Sequence, residues 1–199
     1  MPQSSAVINR RALPPKFPTH RHTPEFWEHL GRAIASFGFL EEILAKAIFA
    51  FTATTEYSEN EVRAVFAKWS ELLKRALSDT LCPLADVYGK VVRGYHEADF
   101  ANVGDLVKDI KRAAEVRNVL CHGSWRGPNA SGKSDIYFFN KRGEKFDTPV
   151  DIEWLLQLQA HVQDIICSVI DSVTVMGWQF PGGAGAGEEI WPNQTTSSR

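Results

Sequence analysis

Apolar residues recur at helical spacing in four long stretches of this chain. Over 23–52, Trp27, Leu30, Ile34, Phe37, Leu44, Ile48 and Phe51 make one stripe. Thr23 is placed to cap its start, Pro24 fits the first turn, and Glu25 and Glu28 suit the positive end of a helix dipole. Over 57–81, Val62, Val65, Phe66, Trp69, Leu72, Leu73 and Leu77 mark a second buried face, opened by a Ser58–Glu61 capping box. Pro83 marks a break, and 83–98 reads as a shorter, weaker helix. Residues 99–123 predict the next long helix, with Val103, Leu106, Ile110, Ala113 and Leu120 inward and Gly123 as its stop. A last long helix covers 151–177, capped by Asp151.

Between the last two helices the period changes. Residues 124–133 form a turn-rich loop. Residues 134–140 and 144–150, joined by Lys141, Arg142 and Gly143, predict a β-hairpin. The expected fold is therefore mainly all-α: a bundle of four to five helices with a small β-hairpin inserted before the last long helix. It occupies 24–176, between a flexible basic arm (1–23) and a Gly/Pro-rich tail (177–199), with no internal repeat and no second domain.

Composition narrows the function classes. The net charge of -2 argues against a chain that binds nucleic acid through bulk charge. The charge is uneven, however. Residues 1–23 hold Arg10, Arg11, Lys16 and Arg21 and no acid, and 105–145 hold nine Lys or Arg against five Asp or Glu. Cys82, Cys121 and Cys167 are odd in number and widely spaced, which fits neither a disulfide scaffold nor a zinc knuckle. No apolar run reaches membrane-span length and no signal-peptide pattern opens the chain, so a soluble cytoplasmic protein is the expectation.

Two charged residues break the apolar stripes. Arg117 follows 106, 110 and 113 on the inward side of its helix, and Glu41 interrupts the first stripe. A buried charge without a partner costs several kcal/mol, so the two are expected to meet. A fully buried pair implies a loss of roughly 3–5 kcal/mol for Glu41→Ala. His122 shares a helix side with Asn118 and Glu115, and lies about 140° around from Arg117. A histidine can move a proton and an arginine can hold a phosphate oxygen, the two needs of RNA cleavage without a metal. A histidine that merely faces the negative end of the helix dipole accounts for the same residue.

The run Arg117, Asn118, Val119, Leu120, Cys121, His122, Gly123 resembles the signature of the HEPN superfamily: an arginine, often followed by a polar residue, then a histidine four to six residues on. The first helix, with its internal Glu41, is similar to that of bacterial members, and the resemblance spans 24–176. It implies a metal-independent endoribonuclease, of toxin or phage-defence type, acting on RNA as a homodimer whose two motifs share a cleft. Arg117 and His122 would be catalytic, with Asn118 and Glu41 supporting them. A cognate antitoxin or effector protein is the further partner it implies, and neither cofactor nor metal is called for.

Lys108, Lys111, Arg112, Trp125 and Arg126 are candidate RNA contacts, and Tyr137 and Phe139 candidate stacking residues. A solvated charged face explains Lys108, Lys111 and Arg112 equally well, and aromatic residues such as Trp125, Tyr137 and Phe139 more often form the packing face of a hairpin. His20, His22 and His29 do not complete a ligand set, the GGAGAG run follows no strand, and Ser124 has no nucleophile elbow. Two rivals to the nuclease stay open: a non-catalytic HEPN-like module binding nucleotide or protein, and a purely structural helical domain.

Overall fold

The side chain of Thr23 closes the N-terminal arm and opens the first helix, its Oγ1 accepting the Phe26 N–H at 3.2 Å. The structure is a computed structural model that describes residues 8–54, 80–95, 102–183, 185 and 190. Among the described residues four α-helices occur: α1 (Pro24–Ala53), α2 (Leu81–Gly94), α3 (Val103–His122) and α4 (Ile152–Thr174). The helix expected over 57–81 lies outside the described residues, apart from Thr80 and Leu81 at the start of α2.

The helical stripes fold as the spacing requires. Leu30, Phe37, Leu44, Ile48 and Phe51 of α1 are buried, joined by Phe26, Leu40 and Ile43. This face packs against α4 and α2, and α2 packs against α3. Asp151 caps α4 by accepting the Trp154 N–H at 2.8 Å. Pro83 lies inside the first turn of α2, not at a break, because a proline there forfeits an N–H that has no helical partner anyway. Gly89 lets α2 and α3 approach closely: a Cβ there would sit 2.7 Å from a Val107 methyl. Tyr88 is buried between α2 and α4, donating to Ser172 Oγ at 2.8 Å, and burial pushes its hydroxyl pKa up to about 12. Among the described residues no helix is long and apolar enough to cross a membrane.

A small antiparallel sheet stands between α3 and α4. Strand β1 (Ser124–Trp125) pairs with β2 (Ile136–Tyr137), Ser124 opposite Tyr137 and Trp125 opposite Ile136. The expected hairpin arm over 144–150 is held on the other side of β2 by bridges Phe139–Lys145 and Ser134–Val150. Thus the segment read as a loop supplies the partner strand, and the sheet is a three-arm meander. Its two turns have the same construction. Asn129 Oδ1 accepts the N–H groups of Ser131 and Lys133, and Gly132 takes φ +77°. Asn140 Oδ1 accepts those of Arg142 and Glu144, and Gly143 takes φ +78°. Asn-x-x-Gly-x, present at 129–133 and at 140–144, specifies both: the amide folds the turn and glycine supplies the left-handed residue.

The end of the basic arm is docked. Trp27 Nε1 donates to the Thr19 carbonyl at 2.9 Å, and His22 stacks on Phe26 at 4.4 Å. His22 Nε2 lies 2.7 Å from Ser134 Oγ, a fully buried hydroxyl at the base of the hairpin. Burial lowers the His22 pKa from 6.5, opposed by its hydrogen bond with the Arg126 backbone. The unfolded chain therefore binds this proton more readily than the folded one. Stability from the neutral, docked ring is expected in full above the unfolded value of 6.5 and to drain away as pH falls through it. Thermal midpoints should drop between about pH 7.5 and about pH 5.5, and drop less for His22→Gln. An equal drop in both proteins would assign the effect to other groups. At the far end, Phe180 is buried and Trp178 packs edge-on against Phe51 and Tyr95, so the first residues of the tail also belong to the core.

Candidate functional site

The site is organised by the way α3 ends. Gly123 leaves the helix in extended conformation, φ -74° and ψ 146°, and runs directly into β1. Its N–H still bonds the Val119 carbonyl at 2.8 Å. Gly123 ends the helix as expected, and glycine is required there by space rather than by a left-handed backbone. The Ile136 side chain of β2 occupies the space beside it, and a Cβ at 123 would overlap the Ile136 Cγ2 methyl. With Gly123 pinned beneath the sheet, His122 is left exposed on the last turn of the helix.

An open groove of about 1010 Å³ separates this end of α3 from the hairpin. Arg112, Glu115, Asn118 and His122 line the helix wall, and Phe138, Phe139, Lys141, Arg142 and Lys145 line the other. Asn118 and His122 are one turn apart, exposed, and neither is engaged by a hydrogen bond or ion pair among the described residues. Of the cations, Arg142 pairs with Glu144 at 3.3 Å and Arg112 with Asp109 at 3.3 Å. Lys141 and Lys145 have no acidic partner among the described residues. The hairpin tip carrying them is fixed by Asn140, whose Nδ2 also donates to Glu144 Oε2 at 2.6 Å. A pre-formed concave surface with free cations and an accessible imidazole can hold an oxyanion and move a proton beside it.

Arg117 points elsewhere. Its Nη2 lies 3.9 Å from Glu41 Oε1, with the two side chains 29% and 25% exposed. The expected pair forms, but at the rim of the bundle. The buried line of α3 runs through Val103, Val107, Ile110, Ala113 and Ala114 to Leu120, and Arg117 falls beside it. Glu41→Ala is therefore expected to cost about 1 kcal/mol or less, because a guanidinium with nearly a third of its side chain in solvent is not stranded when its partner goes. Arg117→Ala should cost more, about 1–3 kcal/mol, since Glu41 Oε1 is buried with no hydrogen bond among the described residues. Denaturant unfolding of the two variants checks this ordering, and a loss of several kcal/mol in Glu41→Ala would contradict it.

The remaining candidates divide. Trp125 is committed to an aromatic cluster, 5.3 Å from Phe26 and 6.4 Å from Trp27. Lys111 pairs with Asp86 across to α2, and Lys108 with Asp105 at 2.8 Å. Arg126 stands over the Tyr137 ring at 5.5 Å. His20 stacks on Phe17, while His22 bonds Ser134, so the histidines of the arm serve packing. Among the described residues no cluster of three or more His, Cys, Asp or Glu is placed to hold a metal ion. The hairpin cations Lys141, Arg142 and Lys145 were visible in sequence only as part of a regional basic excess. Their link to His122 depends on how the hairpin folds over α3.

No protein-family model, curated protein or solved structure matches this chain.

Proposed function

We propose that this protein is a metal-independent endoribonuclease of HEPN type that works as a homodimer. The observation that carries the reading is the pairing of exposed, unengaged His122 and Asn118 with the basic hairpin across one groove. In the reaction, His122 takes the proton of a ribose 2′-OH, and the 2′ oxygen attacks the adjacent phosphorus. Asn118 and the groove cations hold the phosphate oxygens as negative charge builds on them. The bond to the 5′ oxygen breaks, and that oxygen leaves with a proton delivered by the imidazolium of the second copy. The products are a 2′,3′-cyclic phosphate and a 5′-hydroxyl. Arg117, about a third exposed, reaches the phosphate only if it exchanges Glu41 for the substrate. The two-fold axis of the proposed homodimer passes near 117–126, so that the two motifs share one cleft. A toxin or phage-defence effector held in check by a partner protein is the setting that belongs to this activity.

A second reading, a non-catalytic module binding nucleotide or protein, is favoured by one specific observation: Glu41 holds Arg117 away from His122. Incubation of diverse RNAs with the protein in EDTA separates the two. Products ending in cyclic phosphate, from a protein that sediments as a dimer, support the nuclease. Binding without cleavage supports the module.

A further inference from the structure

The outer face of the hairpin carries two aromatic rings that the core does not use. Ile136 is buried and Phe138 half-buried, whereas Tyr137 is 54% exposed and Phe139 is 48% exposed. Alternation along a strand explains why they share the outer face. It does not explain why the positions are aromatic, since polar residues would serve on a solvated face at no cost in burial. The rings meet edge to face, centroids 5.3 Å apart, which holds both upright and leaves ring surface open. Arg126 supports Tyr137 from the neighbouring arm.

Phe139 also belongs to the groove that contains His122. Lys145 stands directly opposite it in the antiparallel bridge, so their side chains emerge on the same face. Lys141 follows at the tip. The acids of this face, Asp135 and Asp147, lie toward the base of the hairpin. At the groove itself Glu144 is engaged by Arg142 and Asn140 and Glu115 stands on the helix wall, so Lys141 and Lys145 are the charges left without an acidic partner among the described residues where Phe139 enters it. An exposed ring beside two ammonium groups that are unpaired among the described residues matches a flat base joined to a phosphate. A duplex presents no free base face to such a ring.

We propose that Phe139, braced by Tyr137, is a nucleobase-stacking subsite, with Lys141 and Lys145 on the neighbouring phosphates of a single strand. The proposal rests on the nuclease reading for its purpose, because a base seated there brings the adjoining sugar and phosphate toward His122. Stacking itself needs no cleavage. A fluorescent single-stranded DNA 12-mer, which lacks the attacking 2′-OH, therefore probes the subsite alone.

Anisotropy at low salt should show the wild-type protein binding this strand more tightly than its duplex. Phe139→Ala should weaken binding of the strand by about 10- to 100-fold, Tyr137→Ala by less, and Phe139→Trp should restore it. Both rings are half exposed, and circular dichroism checks that the variants keep the fold. Three results overturn the proposal: unchanged affinity in Phe139→Ala, equal binding of duplex and strand, or dissociation of a dimer into monomers by Phe139→Ala, which would make the face a self-interface. Cleavage of RNA with an indifferent Phe139 rejects the subsite and leaves the nuclease standing. Phe139-dependent binding with no RNA cleavage does the reverse.

Discussion

Replacing His122 with alanine is expected to lower metal-independent RNA cleavage by about 10²–10⁴-fold, the usual loss when a general acid or base is removed. Stability should hardly change. His122 is exposed at the helix end, and no hydrogen bond or ion pair depends on it among the described residues. This separation makes the variant more informative than Arg117→Ala, which removes a side chain that partners Glu41 and could lose activity through either route. Asn118→Ala should give an intermediate defect, since Asn118 is equally exposed one turn earlier on the groove wall. Rates are to be compared in EDTA with unfolding curves taken on the same preparations. Full activity in His122→Ala, or activity of the wild type that disappears with EDTA, would refute the mechanism.

Gly123→Ala is expected to give the largest stability loss of any glycine-to-alanine change among the described residues. The backbone is no obstacle, because φ -74° suits alanine. Space is the obstacle: the new Cβ would overlap the Ile136 Cγ2 methyl and lie 2.6 Å from the Val119 carbonyl oxygen. The first atom ends a buried side chain at the centre of the small sheet, and the second accepts the hydrogen bond that closes α3. Neither can yield without moving β2 off the helix. Overpacking of this kind costs about 1–3 kcal/mol. Because β2 continues into Phe139 and the hairpin tip, the shift should also disturb the groove.

The cause can be isolated with a double-mutant cycle. Ile136→Ala removes the Cγ2 methyl that the new Cβ would overlap, so the penalty of Gly123→Ala should shrink in that background. Additive effects would place the cost elsewhere in the site. A Gly123→Ala protein as stable as the wild type would show that α3 and the sheet are not packed this closely.

Much of this architecture is legible in the sequence because it depends on local periodicity. The spacing of Leu30, Phe37, Leu44 and Ile48 defines α1, and the caps Thr23 and Asp151 work through side chains that reach only three residues ahead. The hairpin turn at 140–144 is likewise local. Its twin at 129–133 is equally legible, yet the strand that leads into it is only two residues long and too short to show alternation.

What the sequence could not determine was which side of each element would be shared. Arg117 and His122 are five residues apart, and a helix turns their side chains to different neighbours: Glu41 of α1 for one, the basic hairpin for the other. The two ends of a seven-residue motif therefore meet different neighbours within one subunit. The reverse holds for His122 and Lys145, which are distant in sequence and meet across a groove because Gly123 admits Ile136 against the helix end. The sequence by itself determined the described helices and their caps, since each follows from interactions within a turn or two, and it singled out Arg117, Asn118 and His122 as candidates. Only the tertiary structure decided which of those residues face one another, because that depends on steric fit between elements that local rules place independently.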